Sequence, residues 1–237
     1  MTLTPDELAK RIEQTLLAPE AAPNQIDRLC LDALHYGFHA VCVNPIHVRR
    51  AVERIARDRS ASPSGRAVIV VSVAGFPLGA SRSDTKADEA RRALDDGASE
   101  IDMVADLGAL ISGDRKTVRA DIEALARVVH QTPAGASLLK VILETGLLTV
   151  DQIILGCRCC AEGEADFVKT STGFHSSGGA TVEQVRLLRR HAAPLRVKAA
   201  GGIRTAEAAC AMIEAGADRI GTSAGVAILD ELGRTGS

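Results

Sequence analysis

Short apolar runs alternate with amphipathic patterns along this 237-residue chain. One amphipathic pattern puts Val118, Ile122, Leu125 and Val129 on a single face, which is typical of an α-helix packed on one side. The apolar runs between such patterns predict eight strands, near Thr15–Leu16 and at 41–44, 68–74, 101–105, 138–143, 166–170, 195–199 and 218–222.

The strands recur at intervals of roughly 25–35 residues with a helical pattern between them, which predicts a closed parallel (β/α)8 TIM barrel. The first residues, Thr4-Pro5-Asp6-Glu7, have the cap residue, proline and glutamate typical of a helix N-terminus. We therefore expect an extra N-terminal helix before the first strand. No linker-like segment divides the chain, so we expect a single domain over residues 1–237.

Glycines mark the ends of the predicted helices. Five of them lie four residues before the apolar residue that opens a strand: Gly37, Gly97, Gly135, Gly163 and Gly216. A left-handed glycine that ends a helix, followed by a short loop, explains this spacing. Helix starts are marked as well, because Thr149 with Gln152 and Thr181 with Gln184 fit the capping box.

Four charged residues interrupt the apolar pattern of the strands: Asp102, Lys140, Lys169 and Lys198. Their strand neighbours are apolar and must face the surrounding helices, so the charged side chains fall on the inward parity. They also lie near the carboxyl ends of their strands, where this architecture has its catalytic groups. Structural ion pairs, or lysines that extend to the rim, would explain each residue alone. Together the four favour an active site in the lumen.

The surroundings of Lys169 favour a reactive amine. Phe167, Val168 and Phe174 would leave its ammonium group poorly solvated, and Lys198 from the adjacent strand adds a second positive charge. Both effects lower the pKa of an amine, and a neutral amine forms Schiff bases with carbonyl compounds. The sequence therefore predicts imine chemistry at Lys169.

Glycine-rich loops follow the last three predicted strands. They contain Gly173, Gly201-Gly202 and Gly221-Thr222-Ser223-Ala224-Gly225, and the last one leads into a predicted helix. Glycine lets backbone N–H groups approach an anion, and the loops after strands seven and eight often bind phosphate in this architecture. Tight turns without a ligand are the alternative. We predict a small, phosphorylated carbonyl compound as the ligand.

Composition narrows the possible partners. A net charge of −2 argues against nucleic acid or an anionic membrane surface. No run approaches membrane-spanning length, and the N-terminus lacks the features of a signal peptide, so we expect residence in the cytoplasm. The cluster Cys157-Arg158-Cys159-Cys160 could suggest metal or redox chemistry, but with no histidine-rich segment nearby it is better explained by small buried side chains.

Segments along most of the chain resemble those of the deoxyribose-phosphate aldolase family, in order and spacing. They are Ala40-Val41-Cys42-Val43-Asn44-Pro45, Gly75-Phe76-Pro77-Leu78-Gly79, Glu100-Ile101-Asp102-Met103-Val104, Leu139-Lys140-Val141-Ile142-Leu143-Glu144-Thr145, Phe167-Val168-Lys169-Thr170-Ser171-Thr172-Gly173, Val197-Lys198-Ala199-Ala200-Gly201-Gly202-Ile203-Arg204 and Arg219-Ile220-Gly221-Thr222-Ser223. The resemblance implies a class I aldolase, without metal or cofactor. Such an enzyme reversibly cleaves 2-deoxy-D-ribose 5-phosphate into D-glyceraldehyde 3-phosphate and acetaldehyde.

The resemblance also implies roles for individual residues. Lys169 is the Schiff-base lysine, while Asp102 and Lys198 handle protons. The substrate and its phosphate are bound by Thr172, Gly173, Gly201, Gly202, Gly221 and Ser223. From the local chemistry we expect Lys140 to tune the Asp102–Lys198 pair. We expect Thr15, Cys42 and Asn44 to be supporting residues, with Cys42 and Asn44 lining the aldehyde end.

The chain departs from the family pattern in two places. Glu13-Gln14 precedes Thr15 where members usually carry Asp-His, so any role of that aspartate falls to the longer Glu13 or is lost. The tail, Gly233-Arg234-Thr235-Gly236-Ser237, lacks the tyrosine that ends some members. Proton transfer by a tail tyrosine is therefore not expected.

Two alternatives stay open. Another Schiff-base aldolase on the same barrel could use a larger donor, because the residues around Cys42 and Ala74 are small. A non-catalytic barrel that senses sugar phosphates would bind phosphate but would not need a lysine with a lowered pKa. The expected partners are a sugar phosphate and acetaldehyde, without nucleic acid or membrane, and the sequence does not choose between a homodimer and a higher homo-oligomer.

Overall fold

The computed structural model describes residues 3–62, 65, 67–132 and 137–235. The strands are β1 (Ile12–Leu16), β2 (Ala40–Val43), β3 (Ile69–Ala74), β4 (Glu100–Val104), β5 (Leu138–Ile142), β6 (Phe167–Lys169), β7 (Arg196–Ala200) and β8 (Arg219–Thr222). The α-helices in this described part are α1 (Pro5–Ala9), α2 (Pro23–Tyr36), α3 (Val48–Arg57), α4 (Ser83–Asp95), α5 (Leu107–Ser112), α6 (Arg115–His130), α7 (Val150–Glu162), α8 (Val182–His191), α9 (Ala206–Glu214) and α10 (Gly225–Thr235). Short 3-10 turns lie at Pro45–His47, Arg59–Ala61 and Thr145–Leu147.

The strands form a closed barrel in chain order, and β8 pairs in parallel with β1 to complete it. The predicted (β/α)8 barrel is confirmed, and α1 is the extra N-terminal helix. The bounds of β2 to β8 differ from the predicted ones by one residue at most. Strand β1 begins at Ile12, three residues before the predicted position.

Amphipathic packing and capping explain the helices. The four residues that predicted one helix, Val118, Ile122, Leu125 and Val129, are fully buried on α6. Three helix starts carry the predicted reciprocal hydrogen bonds between the cap residue and the third helical residue: Thr4 with Glu7, Thr149 with Gln152, and Thr181 with Gln184. Each capping box is confirmed.

Left-handed glycines end some of the helices, as predicted. Gly37, Gly97 and Gly216 have φ angles of 68°, 103° and 111°. The prediction for Gly135 lies outside the described residues.

For Gly163 the prediction of a left-handed angle is wrong. Its φ is −86°, and the left-handed position is taken by the next residue, Glu164, with φ 62°. A Cβ atom at Gly163 would lie 2.7 Å from Cγ2 of Ile122 on α6. The close approach of α6, not the backbone angle, therefore explains this glycine.

The large apolar core lies between the strands and the surrounding helices. Cys157, Cys159 and Cys160 are buried within it, which confirms that they pack as small apolar residues. The strand register places Lys140 opposite Asp102 and Lys198 opposite Lys169.

None of the described helices has both the length and the apolar character needed to cross a membrane.

Candidate active site

The four charged residues predicted on the inward parity meet inside the barrel. Asp102 is the centre: its Oδ1 accepts from Lys140 Nζ at 2.8 Å, and its Oδ2 accepts from Lys169 Nζ at 2.8 Å and from Lys198 Nζ at 2.7 Å. All four side chains are buried. Each comes from a different strand, β4 to β7, so closure of the sheet is what assembles the cluster.

Two further carboxylates join this group. Glu13 on β1 accepts a short hydrogen bond from Lys198 Nζ and lies 3.6 Å from Lys140 Nζ. Glu100 on β4 lies 2.5 Å from Lys140 Nζ. Glu13 thus reaches the charged network from β1. Glu100 was not predicted, although it has the same strand parity as Asp102 and that signal could have identified it.

The surroundings of the three lysines separate their pKa values. Burial lowers the pKa of Lys169, and the neighbouring Lys198 lowers it further, against the opposing pull of Asp102. Burial acts on Lys198 in the same sense, but Asp102 and Glu13 outweigh it and raise the pKa of Lys198. Lys140 faces Asp102, Glu13 and Glu100, which overcome burial and raise its pKa strongly. Lys169 is therefore the amine in this cluster that loses its proton most readily.

Asp102 stays ionised in this setting. Burial alone would raise the pKa of its carboxyl group, but Lys140, Lys169 and Lys198 together hold that pKa well below its usual range. An ionised Asp102 in turn favours the charged form of Lys198.

A cavity of about 350 Å³ opens at the carboxyl ends of the strands, and Lys169 lies on its wall. The predicted binding residues that line it are Thr172, Gly173, Gly201, Gly202, Gly221 and Ser223, together with Thr15. Asp102, Lys140 and Lys198 are not on this wall; they are buried, and Asp102 joins the other two to the Lys169 amine.

Cys42 and Asn44 do not line this cavity. Burial raises the pKa of the Cys42 thiol to about 11, and the side chain packs with Leu17, Val71 and Val73. Asn44 donates from its side-chain amide to the carbonyl oxygen of Leu17 at 3.1 Å. Asn44 thus supports a segment whose residues are on the cavity wall.

Arg204 lines the cavity as well, although the sequence pattern did not predict it as a binding residue. It follows Gly201-Gly202 in the loop after β7, and its position beyond a strand end was the available signal. Lys169 and Arg204 are the charged residues on the described wall, which carries no carboxylate. The wall therefore suits an anionic ligand.

The two loops that carry the predicted glycines approach each other closely. Gly173 and Gly201 have φ angles of 80° and 90°, and a Cβ at Gly173 would lie 3.4 Å from the Cα of Gly201. Neither Gly173 nor Gly202 donates its backbone N–H to another group in the described part of the protein. These N–H groups are available to an anion in the cavity.

The third loop leads into α10 as predicted, and side chains accept two of its backbone N–H groups. The N–H of Gly225, the first residue of α10, donates to Gln14 Oε1 at 2.9 Å, and Gln14 Nε2 donates to the carbonyl oxygen of Ser223 at 3.2 Å. The N–H of Ala224 donates to Thr222 Oγ1. These two N–H groups are already satisfied, and Gln14 fixes the loop to β1.

Comparison with known proteins agrees with this geometry. A family model described as "DeoC/LacD family aldolase" matches residues 11–231. A deoxyribose-phosphate aldolase from Thermococcus gammatolerans is 51% identical over 225 residues, covering 94% of this chain and 96% of the relative. One from Brevibacillus brevis is 50% identical over 229 residues, covering 96% and 97%.

Solved structures show the same relationship. A putative deoxyribose-phosphate aldolase from Coccidioides immitis superposes with a TM-score of 0.88 at 42% identity, over 98% of this chain and 87% of that one. A deoxyribose phosphate aldolase from Aeropyrum pernix, described as tetrameric, has a TM-score of 0.86 at 32% identity, over 99% and 94%. The chain belongs to the DeoC/LacD family of aldolases.

Proposed function

We propose that this chain reversibly cleaves 2-deoxy-D-ribose 5-phosphate into D-glyceraldehyde 3-phosphate and acetaldehyde through a Schiff base at Lys169. The observation that carries the proposal is the position of Lys169: it lies on the cavity wall, and of the three clustered lysines it is the one whose pKa is lowered. The aldolase relatives, one of them 51% identical, indicate the substrate.

The neutral Lys169 amine attacks the C1 carbonyl carbon of the open-chain sugar, and loss of water gives an iminium ion. Its positive nitrogen accepts the electron pair of the C2–C3 bond, which breaks as the 3-hydroxyl group gives up its proton. This step releases D-glyceraldehyde 3-phosphate and leaves an enamine on Lys169. Protonation of C2 and hydrolysis of the imine release acetaldehyde and restore the amine, so the cycle consumes no metal or cofactor.

Asp102 and Lys198 are suited to the proton transfers around this imine. Asp102 Oδ2 contacts both Lys169 Nζ and Lys198 Nζ, so it joins the nucleophile to a lysine that stays charged. Proton transfer from Lys198 toward the carbinolamine hydroxyl would assist the loss of water. Lys140 binds the other carboxylate oxygen and so fixes the orientation of Asp102.

The phosphate end of the substrate fits the glycine loops. Gly173 and Gly202, whose N–H groups have no acceptor among the described residues, line the cavity together with the positively charged Arg204. Gly221 and Ser223 extend the wall on the side of β8. Binding of the phosphate there would hold the sugar in register with Lys169, which lowers the entropy cost of the imine step.

The alternative of a non-catalytic sugar-phosphate sensor is disfavoured by the buried cluster. Three lysines and three carboxylates inside a barrel cost solvation free energy that phosphate binding does not require. Imine formation, by contrast, requires a neutral amine, and the lowered pKa of Lys169 favours that form.

Product analysis tests the proposal. In an NMR assay of 2-deoxy-D-ribose 5-phosphate with the protein, acetaldehyde and triose phosphate should form in equal amounts. Lys169→Met should reduce cleavage to the background rate, whereas Lys116→Met, at an exposed position on α6, should leave it unchanged. Absence of cleavage by the unmodified protein, or equal cleavage by Lys169→Met, would rule the proposal out.

Self-association is also part of the proposal. The Aeropyrum pernix neighbour is described as tetrameric, and we propose a homodimer or a larger homo-oligomer for this chain. Analytical ultracentrifugation would give its mass in solution. Residence in the cytoplasm stays a prediction from the sequence.

A further inference from the structure

Glu144 has an unusual backbone for its residue type. It follows β5 with φ 54° and ψ 57°, in the left-handed region that favours glycine. Within the described residues it shares a positive φ with one other non-glycine residue, Glu164, which is exposed at the end of α7. A strained conformation persists where the surrounding contacts hold it in place.

The carboxylate of Glu144 binds a single residue of the next loop. Thr172 donates its backbone N–H to the two carboxylate oxygens at 3.2 and 3.3 Å and its hydroxyl group to Oε2 at 2.5 Å. Glu144 is buried, and it forms no ion pair in the part of the chain that the structure describes. Within the described residues, Thr172 is therefore the hydrogen-bond partner of the Glu144 side chain.

Thr172 transmits this contact to the cavity. Its hydroxyl oxygen also accepts the N–H of Phe174 at 3.1 Å, so both the donor and an acceptor site of the hydroxyl are in use. Between Thr172 and Phe174 lies Gly173, which has a left-handed φ and donates its N–H to no other described residue. Glu144 does not line the cavity, whereas Thr172, Gly173 and Phe174 do.

We propose that Glu144 is a positioning residue that holds the loop after β6 in its anion-binding shape and so sets the preference for phosphorylated over unphosphorylated sugars. The inference rests on the proposed function. It changes the role of Thr172 as well: its hydroxyl group shapes the loop through Glu144 and Phe174, and the phosphate is bound by the N–H of Gly173.

The test compares two substrates, 2-deoxy-D-ribose 5-phosphate and 2-deoxy-D-ribose. In Glu144→Gln one of the two accepting oxygens is replaced by an NH₂ group and the negative charge is lost, so the hydrogen bonds from Thr172 become weaker. We expect KM for the phosphorylated sugar to rise about tenfold or more. The kcat/KM for the unphosphorylated sugar, which does not use the loop, should stay within about twofold, and so should borohydride trapping of acetaldehyde at Lys169.

Two variants of Thr172 and one control variant complete the test. Thr172→Val removes the hydroxyl group and should reproduce the loss of preference, while Thr172→Ser keeps it and should retain the preference of the unmodified protein. Glu164 is an exposed glutamate with a left-handed φ like that of Glu144, and Glu164→Gln should leave kcat/KM for both sugars unchanged. The Thr172 pair gives an answer even where Glu144→Gln does not fold.

The outcomes are distinguishable from failure of the proposed function. If the unmodified protein cleaves neither sugar, the proposed function itself fails. If it cleaves the phosphorylated sugar, but Glu144→Gln and Thr172→Val lower kcat/KM for both sugars equally or leave their ratio unchanged, the positioning role is wrong.

Discussion

The carboxylates around each buried lysine determine which lysine can act as the nucleophile. Among the described residues Lys140 contacts three carboxylates, namely Asp102, Glu100 and Glu13, whereas Lys198 contacts two and Lys169 contacts one. All three amines are desolvated, which favours their neutral forms. The carboxylates outweigh burial at Lys140 and Lys198, and of the three lysines Lys169 alone has a lowered pKa. The lysine on the cavity wall is thus also the reactive one.

Lys198→Leu should raise the pKa of Lys169. The change removes a positive neighbour and leaves Asp102 more free to stabilise the Lys169 ammonium group. Because imine formation needs the neutral amine, the midpoint of a pH series of acetaldehyde trapping should move to higher pH. Turnover should fall by about 100-fold, since a proton donor is lost.

Lys116→Leu on the exposed face of α6 serves as the control for this series and should keep the original midpoint. If Lys198→Leu has the midpoint of the unmodified protein, the two lysines are not coupled and another group activates Lys169.

The strand pattern predicted some of these residues and missed others for physical reasons. Alternation along a strand identifies inward charges, so Asp102 and Lys169 could be predicted, and Glu100 had the same signal. This alternation ends where a strand ends, and Glu144 lies beyond the end of β5. The direction of its side chain could therefore not be predicted from the sequence. The use of the Thr172 hydroxyl depends on a contact between residues that are far apart along the chain.

Secondary-structure elements were predictable where local signals are sufficient. The apolar runs and the capping residues fixed seven strands to within one residue and three helix starts to the residue. Gly163 shows the limit of such signals. Its spacing fits a helix-ending glycine, but the reason for it is the packing of α7 against α6, which appears only in the assembled barrel.

Gly163→Ala should destabilise the protein although its φ of −86° suits alanine. The new methyl group would meet Ile122 at 2.7 Å, and overpacking of this kind costs about 1–3 kcal/mol of unfolding free energy. Gly108→Ala on α5, where the nearest atom is Asp106 Oδ1 at 3.5 Å, should be neutral or stabilise by about 0.5–1 kcal/mol. Urea unfolding measures both, and equal effects of the two changes would show that the α6–α7 contact does not matter.

The molecule as a whole carries a charged cluster where other barrels of this type are packed with apolar side chains. Each of its members depends on the others, because an unpartnered buried charge is costly. Of the three clustered lysines, Lys140 pairs with the most described carboxylates, and it does not line the cavity. A change at Lys140 therefore measures how much the ion pairs of the cluster contribute to the free energy of unfolding.

Lys140→Met should destabilise the protein by about 3–5 kcal/mol near neutral pH. Lys140 helps to hold the pKa values of Asp102 and Glu100 below those of unfolded carboxyl groups. In the unmodified protein these two ionised carboxylates therefore stabilise the folded state above the unfolded carboxyl pKa of about 4. This stabilisation is lost as pH falls through the lower pKa values of the folded state. Without Lys140 these folded pKa values rise, and protonation then relieves the uncompensated charge. The difference in unfolding free energy from the unmodified protein should therefore shrink between about pH 7 and pH 5.

The double variant Lys140→Met with Glu100→Gln should recover part of this loss at pH 7, because it removes one of the unpaired charges. Urea unfolding at the two pH values measures all three proteins. A loss that does not depend on pH and is not relieved by Glu100→Gln would contradict the electrostatic explanation and indicate lost packing instead.

The central claim is that Lys169 forms the imine, and trapping tests it directly. The protein is incubated with acetaldehyde and sodium borohydride, digested, and analysed by mass spectrometry. We predict that the peptide containing Lys169 gains one ethyl group in place of a hydrogen, that the Lys140 and Lys198 peptides do not, and that Lys169→Met gains none. Labelling at another lysine, or cleavage of the sugar phosphate without any labelling at Lys169, would contradict the claim.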